Sequence, residues 1–294
     1  MDSVKAKHFL IQTNGLLLDR LEPKYVNCFH TVLVSIDGDK ALTDLCRGKG
    51  TFRKVINNLK LIRRNGFKGE LIARMTTMKK TDICKQVTWL LNNDEFPFSS
   101  VHWQLNAGFW KDFKRRDFKN WSEENYNPGV RKLAEFWVGR MENEGEVLRI
   151  YPFLGITQSL LLDEKQNLLR SGAGWTNYAI QTDGYIIPCP AMWGMKKYYL
   201  GHVNSTNPLK LKKISVGEPC TKCDILNICG GRCLYANVTK RWPPEAHDLV
   251  CKTVRNLKDA TSKKMHRIRK LIENGKINLR DSEFMKYNGC GIIP

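Results

Sequence analysis

The sequence lacks the run of about 18 or more apolar residues that a membrane-spanning helix requires. It also lacks the apolar segment of a secretion signal, because residues 1–7 are mostly polar. The six histidines are scattered and form no H-x-x-H or H-E-x-x-H group, so no histidine-based metal site is predicted. Repeats and low-complexity stretches are missing as well. Together these absences favour a cytoplasmic globular protein with no membrane partner.

Cysteine, by contrast, is abundant, with ten residues in the chain. Cys220, Cys223, Cys229 and Cys233 follow a C-x2-C-x5-C-x3-C spacing, and Cys251 comes after a gap. In a reducing compartment this spacing favours metal ligands over disulfides, because several soft thiolates can close a tetrahedral or cluster site. A zinc ribbon would need two C-x2-C-like pairs, and this stretch has one. Packed core thiols have no reason to recur at ligand spacing, so the run predicts a metal or cluster site.

The net charge is +19, from 48 basic and 29 acidic residues. Such an excess is typical of nucleic-acid binders, of proteins with acidic substrates, and of heavily charged hyperthermophile surfaces. The basic residues are scattered, and the densest run, Lys252 to Lys276, carries apolar residues at helical spacing. This run predicts a C-terminal helix with a solvated basic face rather than a nucleic-acid patch.

The first half of the chain alternates short β-branched runs with helical patterns. Predicted strands span 8–13, 30–36, 70–76 and 101–105, and predicted helices span 51–64, 81–91 and 128–141. Thr51 and Thr81 are the predicted N-caps of the first two helices. Alternation of this kind favours an α/β fold with a parallel sheet buried on both faces.

Ligands of such a sheet bind where the carboxyl ends of the strands meet. This rule places Asn14, Ser35, Asp37 and the residues after Leu105 at the predicted functional edge.

From about residue 146 the pattern changes, so the chain is predicted to divide into residues 1–145 and 146–294. Residues 176–188 alternate around Asp183-Gly184, which predicts a β-hairpin that delivers Cys189 at a strand end. The stretch that follows has Gly and Pro punctuation and little periodicity, as expected where ligation holds the backbone. A long helix is predicted from there to about residue 275.

Several motifs resemble radical SAM enzymes that carry a SPASM extension. Segments 34–38 (VSIDG) and 47–52 (RGKGTF) resemble the fourth strand and the following helix of that fold, and 12–15 (QTNG) resembles the end of its third strand. The cysteine run with its later cysteine resembles the second half of the SPASM motif. With 172–175 (GAGW) and the ending 289–294 (GCGIIP), the chain most resembles an archaeal family of peptide-modifying radical SAM enzymes. The resemblance covers nearly the whole chain.

The resemblance implies that the chain is N-terminally truncated relative to the family. Radical SAM chemistry needs a C-x3-C-x2-C loop, but before Cys189 the only cysteines are Cys28, Cys46 and Cys84, which are far apart and are predicted to be buried. The family's Gly-Gly-Glu stretch is also missing. The expected fold is an incomplete radical SAM partial (β/α) barrel that lacks the first two βα units. A cysteine-rich SPASM iron–sulfur domain and a C-terminal helix follow it. A genuine short protein that has lost the chemistry is the alternative to a truncated gene product.

By resemblance, Cys220, Cys223, Cys229 and Cys251 would bind one complete auxiliary 4Fe–4S cluster. Because all four ligands are cysteines of the chain, this cluster would have no open iron.

Cys189 and Cys233 would belong to a second auxiliary cluster. Ser171 and Thr206 stand where the family has its other cysteines, and a hydroxyl is a poor replacement for a thiolate on iron. Loss of this second cluster is therefore expected.

The resemblance also implies cofactor contacts at the edge of the sheet. Ser35 and Asp37 would face the ribose of S-adenosylmethionine, Arg47 its carboxylate and Leu105 its adenine, and Asn14 would also contact the cofactor. Four of these positions have a plainer alternative. Asn14 and Asp37 could serve their turns, Arg47 could form a surface ion pair, and Leu105 could pack in the core.

The implied function is modification of a peptide or protein side chain with S-adenosylmethionine and iron–sulfur clusters. A ferredoxin or flavodoxin would be the electron donor. On this chain we expect one auxiliary 4Fe–4S cluster and no independent S-adenosylmethionine cleavage. Two alternatives stay open: a non-catalytic iron–sulfur protein that binds peptide, and a zinc-stabilised basic module that binds nucleic acid.

Overall fold

The computed structural model describes residues 6–107, 112–163, 169–285 and 290–294. Gly289 of the GCGIIP ending lies outside these residues. The first half contains a parallel sheet of strand order β1-β2-β3-β4. Its strands are β1 (Leu10–Thr13), β2 (Thr31–Ser35), β3 (Glu70–Thr77) and β4 (Ser100–Leu105). Each nearly coincides with its predicted range, so the predicted parallel α/β sheet is confirmed.

Helices alternate with these strands and continue after them. The helices of this half are α1 (Pro23–Val26), α2 (Lys40–Arg47), α3 (Thr51–Arg64), α4 (Ile83–Asn92), α5 (Phe118–Trp121), α6 (Asn127–Glu144) and α7 (Tyr151–Leu161). A π-helical turn, Ser122–Tyr126, joins α5 to α6. Ile150, just before α7, forms a parallel bridge to Val101 of β4.

Both predicted N-caps are wrong. α3 begins at Thr51, but its N-cap is Gly50 at a positive φ of 84°, and the Thr51 hydroxyl donates to the Arg47 carbonyl (3.1 Å). α4 is capped by Asp82, whose carboxylate accepts from the Lys85 N–H (3.0 Å). Asp and Thr are both good caps, and the choice between neighbours depends on where the backbone turns into the helix.

The sheet has two distinct faces, because side chains alternate along each strand. Val32 and Val34 of β2 point into the main core with Trp103 of β4, beneath the helices. Leu33 lies on the opposite face with Ile72 of β3. We call this second face the concave face. β2 is apolar on both sides, as expected for a strand of a doubly covered sheet.

The second half begins with a small antiparallel sheet. It comprises β5 (Ala179–Ile180), β6 (Tyr185–Ile187) and β7 (Gly201–His202). β5 and β6 pair across Asp183-Gly184, which confirms the predicted hairpin. Cys189 follows β6 closely, as the sequence predicts.

Four helices complete the fold: α8 (Leu226–Cys229), α9 (Leu234–Thr239), α10 (Pro244–Ser262) and α11 (Met265–Glu273). The prediction of one long C-terminal helix is wrong in one respect, since Lys263 and Lys264 separate α10 from α11. Among the residues described, no helix is both long enough and apolar enough to cross a membrane.

The main core runs across the predicted boundary at residue 145. It contains strand residues of the first half together with Ile228, Val250 and Leu257 of the second. α6 packs along α10, where the Asn256 amide donates to the Asn127 carbonyl (3.1 Å). The division into two domains stays a prediction, but apolar packing joins its two parts.

Candidate functional site

The predicted rim residues do lie at one edge of the sheet, because the carboxyl ends of parallel strands share an edge. Asn14 directly follows β1 and Ser35 ends β2. Asn14 is exposed, and its side-chain oxygen accepts from the Leu16 N–H (3.1 Å), so it supplies the turn after β1. Ser35 is half-buried on the concave face, in register with Arg74 of β3.

Asp37 and Arg47 form a pair at this edge. The Asp37 carboxylate is 1% exposed and accepts from Arg47 Nη2 (2.8 Å) and from the Thr76 N–H (2.9 Å). Arg47 Nε lies 2.7 Å from the other carboxylate oxygen. The alternative for Arg47, an ion pair, is thus present. Its partner Asp37 is buried, whereas the alternative placed the pair at the surface. Ion pairing and hydrogen bonds of this kind offset the cost of burying a carboxylate.

Leu105 packs in the main core on the helix-covered side of β4. The position of Leu105 therefore agrees with the alternative that it is a core residue. The predicted contacts of the rim residues with a cofactor stay predictions.

The concave face carries two polar residues that sequence reasoning missed, Arg74 and His102, which are partners in the β3–β4 register. His102 is fully buried, and its Nδ1 is hydrogen-bonded to Arg74 Nη1. Burial and the Arg74 charge hold the pKa of His102 well below its usual value. Both strands carry other polar residues, so no local pattern singled out these two.

The cysteine run surrounds one cavity of about 450 Å³. Its lining includes Cys220, Cys223, Cys229, Cys251 and Cys233, with the apolar side chains of Ile225, Val250 and Val254. Four of these are the cysteines assigned by resemblance to one auxiliary cluster. A volume of this order exceeds what a single ion would fill, since one water molecule takes up about 30 Å³ in the liquid.

The thiols of this cavity influence one another. Burial raises the pKa of Cys220 and Cys229, and burial together with the neighbouring thiols raises the pKa of Cys251 to about 12. Thiolate ligands must lose these protons to bind metal, and iron supplies the positive charge that favours the loss. Within the described ranges, no three His, Cys, Asp or Glu side chains form a group that could hold a metal ion. The fit to an iron–sulfur group therefore rests on the donor set and on the size of the cavity.

An arginine and a histidine that the sequence did not reveal stand beside the thiols. Arg255 Nη2 lies 3.6 Å from the Cys223 sulfur, and Arg255 Nη1 donates to Asp224 (2.8 Å). His247, one turn before Cys251 on α10, has its Nδ1 3.7 Å from the Cys251 sulfur. Cations next to a thiolate stabilise its charge, and hydrogen bonds to sulfur tune iron–sulfur centres.

Burial raises the pKa of the Cys189 thiol, and Cys233 raises it further. Ser171 and Thr206, the positions where the resemblance implies cysteines, form local hydrogen bonds. The Ser171 hydroxyl accepts from the Ala173 N–H (3.3 Å), and the Thr206 hydroxyl accepts from the His202 N–H (2.9 Å).

The prediction that the three early cysteines are buried is wrong for one of them. Cys28 is exposed, Cys46 is half-buried and Cys84 is buried in the main core.

The cavity adjoins the carboxyl edge of the sheet. The indole N–H of Trp242, which lines the cavity, donates to the carbonyl of Ala107, two residues after β4 (2.8 Å). Arg232, between two of the cysteines, stacks over the Trp242 ring at 5.2 Å. The rim and the cavity are therefore neighbours in one molecule.

No protein-family profile matches this chain. Two relatives, from two strains of Clostridium perfringens, are described as cysteine-type anaerobic sulfatase-maturating enzymes. They are 24% and 23% identical over 240 residues, which are 76% of this chain and 63% of each relative. The chain thus spans less than two thirds of the length of the curated relatives it matches.

Solved structures of a protein named anSMEcpe have a fold similar to that of this chain. Native anSMEcpe with bound AdoMet has a TM-score of 0.66 and 18% identity, covering 90% of this chain and 76% of that one. The same protein with AdoMet and a Kp18Cys peptide has a TM-score of 0.65. The chain is therefore an α/β protein whose parallel sheet matches the fold of radical SAM enzymes.

Proposed function

We propose that this chain belongs to a radical SAM/SPASM system that modifies a peptide or protein side chain, with the auxiliary iron–sulfur site in the cysteine-lined cavity. The observation that carries the proposal is the convergence of Cys220, Cys223, Cys229 and Cys251 on one cavity beside the carboxyl edge of the sheet. The similarity to sulfatase-maturating enzymes, one of them solved with AdoMet and a peptide, supports the peptide-modifying class.

The four cysteines are the residues that would hold the cluster. A 4Fe–4S cluster bound there would supply one-electron transfer. Arg255 would stabilise the negative charge on Cys223, and the apolar side chains of Ile225 and Val250 would keep water away from the sulfurs. We propose that Cys189 and Cys233 form no complete second site, because the hydroxyls of Ser171 and Thr206 bind backbone N–H groups instead.

At the rim, Asp37 joins the loop after β2 to Arg47 and to Thr76 of β3, next to Ser35 at the edge where AdoMet would lie. The 294 residues contain no C-x3-C-x2-C motif. We therefore assign this chain a binding and positioning role and no cleavage of S-adenosylmethionine.

Metal analysis after anaerobic purification tests the cluster site. We expect iron and sulfide in near-equal amounts, and we expect Cys220→Ala to lose most of the iron. The control is Cys28→Ala, which removes an exposed thiol outside the cavity and should keep the iron. Zinc without sulfide would contradict the cluster and favour the zinc-stabilised alternative.

Incubation with a reductant and S-adenosylmethionine tests the assigned role. We expect no deoxyadenosine from this chain, and its production would show that the chain carries the radical chemistry itself.

A further inference from the structure

The last five residues run from Cys290, which lies on the concave face of the sheet, to Ile293, which packs in the main core, and Pro294. We call them the C-terminal segment. Cys290 is 0% exposed and Ile293 is 2% exposed, and Pro294 is also buried. The strands of this face end at the rim, the carboxyl edge where ligands of a parallel sheet bind. A segment of the chain itself therefore covers part of the proposed binding surface.

Cys290 fills a small apolar pocket in this face. Its neighbours are Leu33 of β2, Ile72 of β3 and Tyr151 at the start of α7. Arg74 Nη1 lies 3.9 Å from the Cys290 sulfur. The pocket thus takes a side chain of thiol size, and the Arg74 guanidinium lies at its wall.

The rest of the segment is held through its main chain. His102 Nε2 lies 2.9 Å from the Ile292 carbonyl oxygen, and Arg232 Nε donates to a Pro294 oxygen (3.1 Å). Since Arg74 donates to His102 Nδ1, neutral His102 must carry its proton on Nε2 and donate to Ile292. Contacts to carbonyl oxygens do not depend on the sequence of the bound strand, so another extended peptide could make the same ones.

The segment also leads from the sheet to the cysteine-lined cavity. Cys290 lies at mid-strand, against Leu33 and Ile72, whereas Pro294 reaches Arg232, which lines the cavity. Residues 290–294 form no helix and no strand. Without a regular backbone network, side-chain burial and a few hydrogen bonds hold the segment, so local opening can release it without unfolding the sheet.

We propose that the concave face is a groove for an extended peptide with a small side chain in the Cys290 pocket, and that the C-terminal segment occupies this groove in cis. The inference rests on the proposed function for the nature of the incoming ligand, a peptide. The groove is autoinhibited, because the tethered segment has an effective concentration in the millimolar range and an incoming peptide must compete with it.

The accessibility of Cys290 reports displacement directly. The probe is a synthetic peptide of residues 283–294 that carries Cys290→Ser, and the readout is alkylation of each cysteine of the intact chain, followed by mass spectrometry. We expect saturating peptide to raise the alkylation rate of Cys290 about tenfold, as local opening of a weakly held segment would allow. Cys84, buried in the main core, should stay protected, and exposed Cys28 should react equally with and without peptide.

A variant sharpens the test. Ile293→Asp places a charge in a buried site, so it should release the segment, expose Cys290 without peptide and tighten peptide binding about tenfold, measured by fluorescence anisotropy. Leu209→Asp, at a position 93% exposed, should change neither quantity. If Cys84 of the Ile293→Asp variant reacts as fast as Cys28, the variant is unfolded and the wild-type titration decides.

Two results would overturn the inference. One is peptide binding that leaves the alkylation rate of Cys290 unchanged. The peptide would then bind elsewhere, and the segment would be a permanent part of the concave face. The other is a parallel rise of Cys290 and Cys84, which would make the segment part of the cooperative core. Neither readout needs a cluster or S-adenosylmethionine. If the purified chain holds no iron but peptide still exposes Cys290, the proposed function is contradicted and this inference is not.

Discussion

The parallel sheet and the cysteine-lined cavity differ in what lies between their side chains. In the sheet, Val32, Val34 and Trp103 are fully buried against other apolar groups. In the cavity, Cys220 and Cys251 are half-buried and face a space of about 450 Å³. The comparison teaches that the sheet draws its stability from apolar burial within the chain. For the cavity we expect ligation to contribute in the same way.

The largest effect is expected from a deletion inside the sheet. Trp103→Ala should cost about 3–5 kcal/mol of unfolding free energy, because it leaves a large cavity and removes the indole N–H that donates to Tyr126 Oη (2.7 Å). Trp193→Ala, at a position 75% exposed, should stay within about 0.5 kcal/mol. Urea denaturation measures both, and equal losses would mean that apolar burial is not what distinguishes the sheet.

Anaerobic loading with iron and sulfide should affect the two regions unequally. We expect amide hydrogen exchange of residues 220–233 to slow by about tenfold or more, since ligands bind folded chain and suppress local opening. Residues 31–35, already fully packed, should change far less. The same experiment on Cys220→Ala should show no gain, and uniform protection of both regions would remove the contrast.

The pH dependence of stability should come partly from the concave face. Burial and Arg74 depress the pKa of His102 in the folded chain, while the unfolded chain takes up the proton below about pH 6.5. The unfolded state then binds more protons, so stability falls as pH drops below that value. Cys290 adds no charge, because burial raises the pKa of its thiol to about 12.

Thermal melts between pH 7.5 and 5.5 measure this effect. His102→Gln should flatten the loss of melting temperature, and His266→Gln, at an exposed position on α11, should leave it unchanged. If the loss of melting temperature persists in His102→Gln, other titratable groups cause it.

The smallest effect concerns the charge beside the cavity. Arg255→Gln should lower the midpoint potential of the cluster, because a cation near the Cys223 sulfur favours the more negative, reduced state. Lys24→Gln, whose amine pairs with Glu22 in solvent away from the cavity, is the matched control. Potentiometric titration followed by electron paramagnetic resonance gives the values. An unchanged potential with full iron content would show that Arg255 does not act on the cluster.

Local pattern was enough to predict the sheet. The β-branched run before Asp37 and the apolar run after Glu70 fit only a doubly covered strand, and both strands form where expected. The hairpin at Asp183-Gly184 was readable because the turn needs those residue types. Cap positions were not readable, since Thr81 and Asp82 are both good caps and packing decides between them.

The candidate site was predictable only where its members are close in the sequence or carry a family motif. The spacing of the cysteines indicated ligands, and they line one cavity. Arg255 and His102 left no signal, because their partners, Cys223 and Ile292, are 32 and 190 residues away. Contacts at such separations follow from the packed fold and not from any local pattern.

The main core that crosses residue 145 has a consequence for work on fragments. α6 and α10 are held together by packing and by hydrogen bonds such as that between Asn256 and Asn127. A gene cut at Gly145 would yield two pieces, each exposing apolar surface that the other normally covers, and both should aggregate when expressed alone. Co-expression of the pieces should restore a soluble complex, as in fragment complementation. The cysteine-rich half is therefore best studied with the sheet still attached.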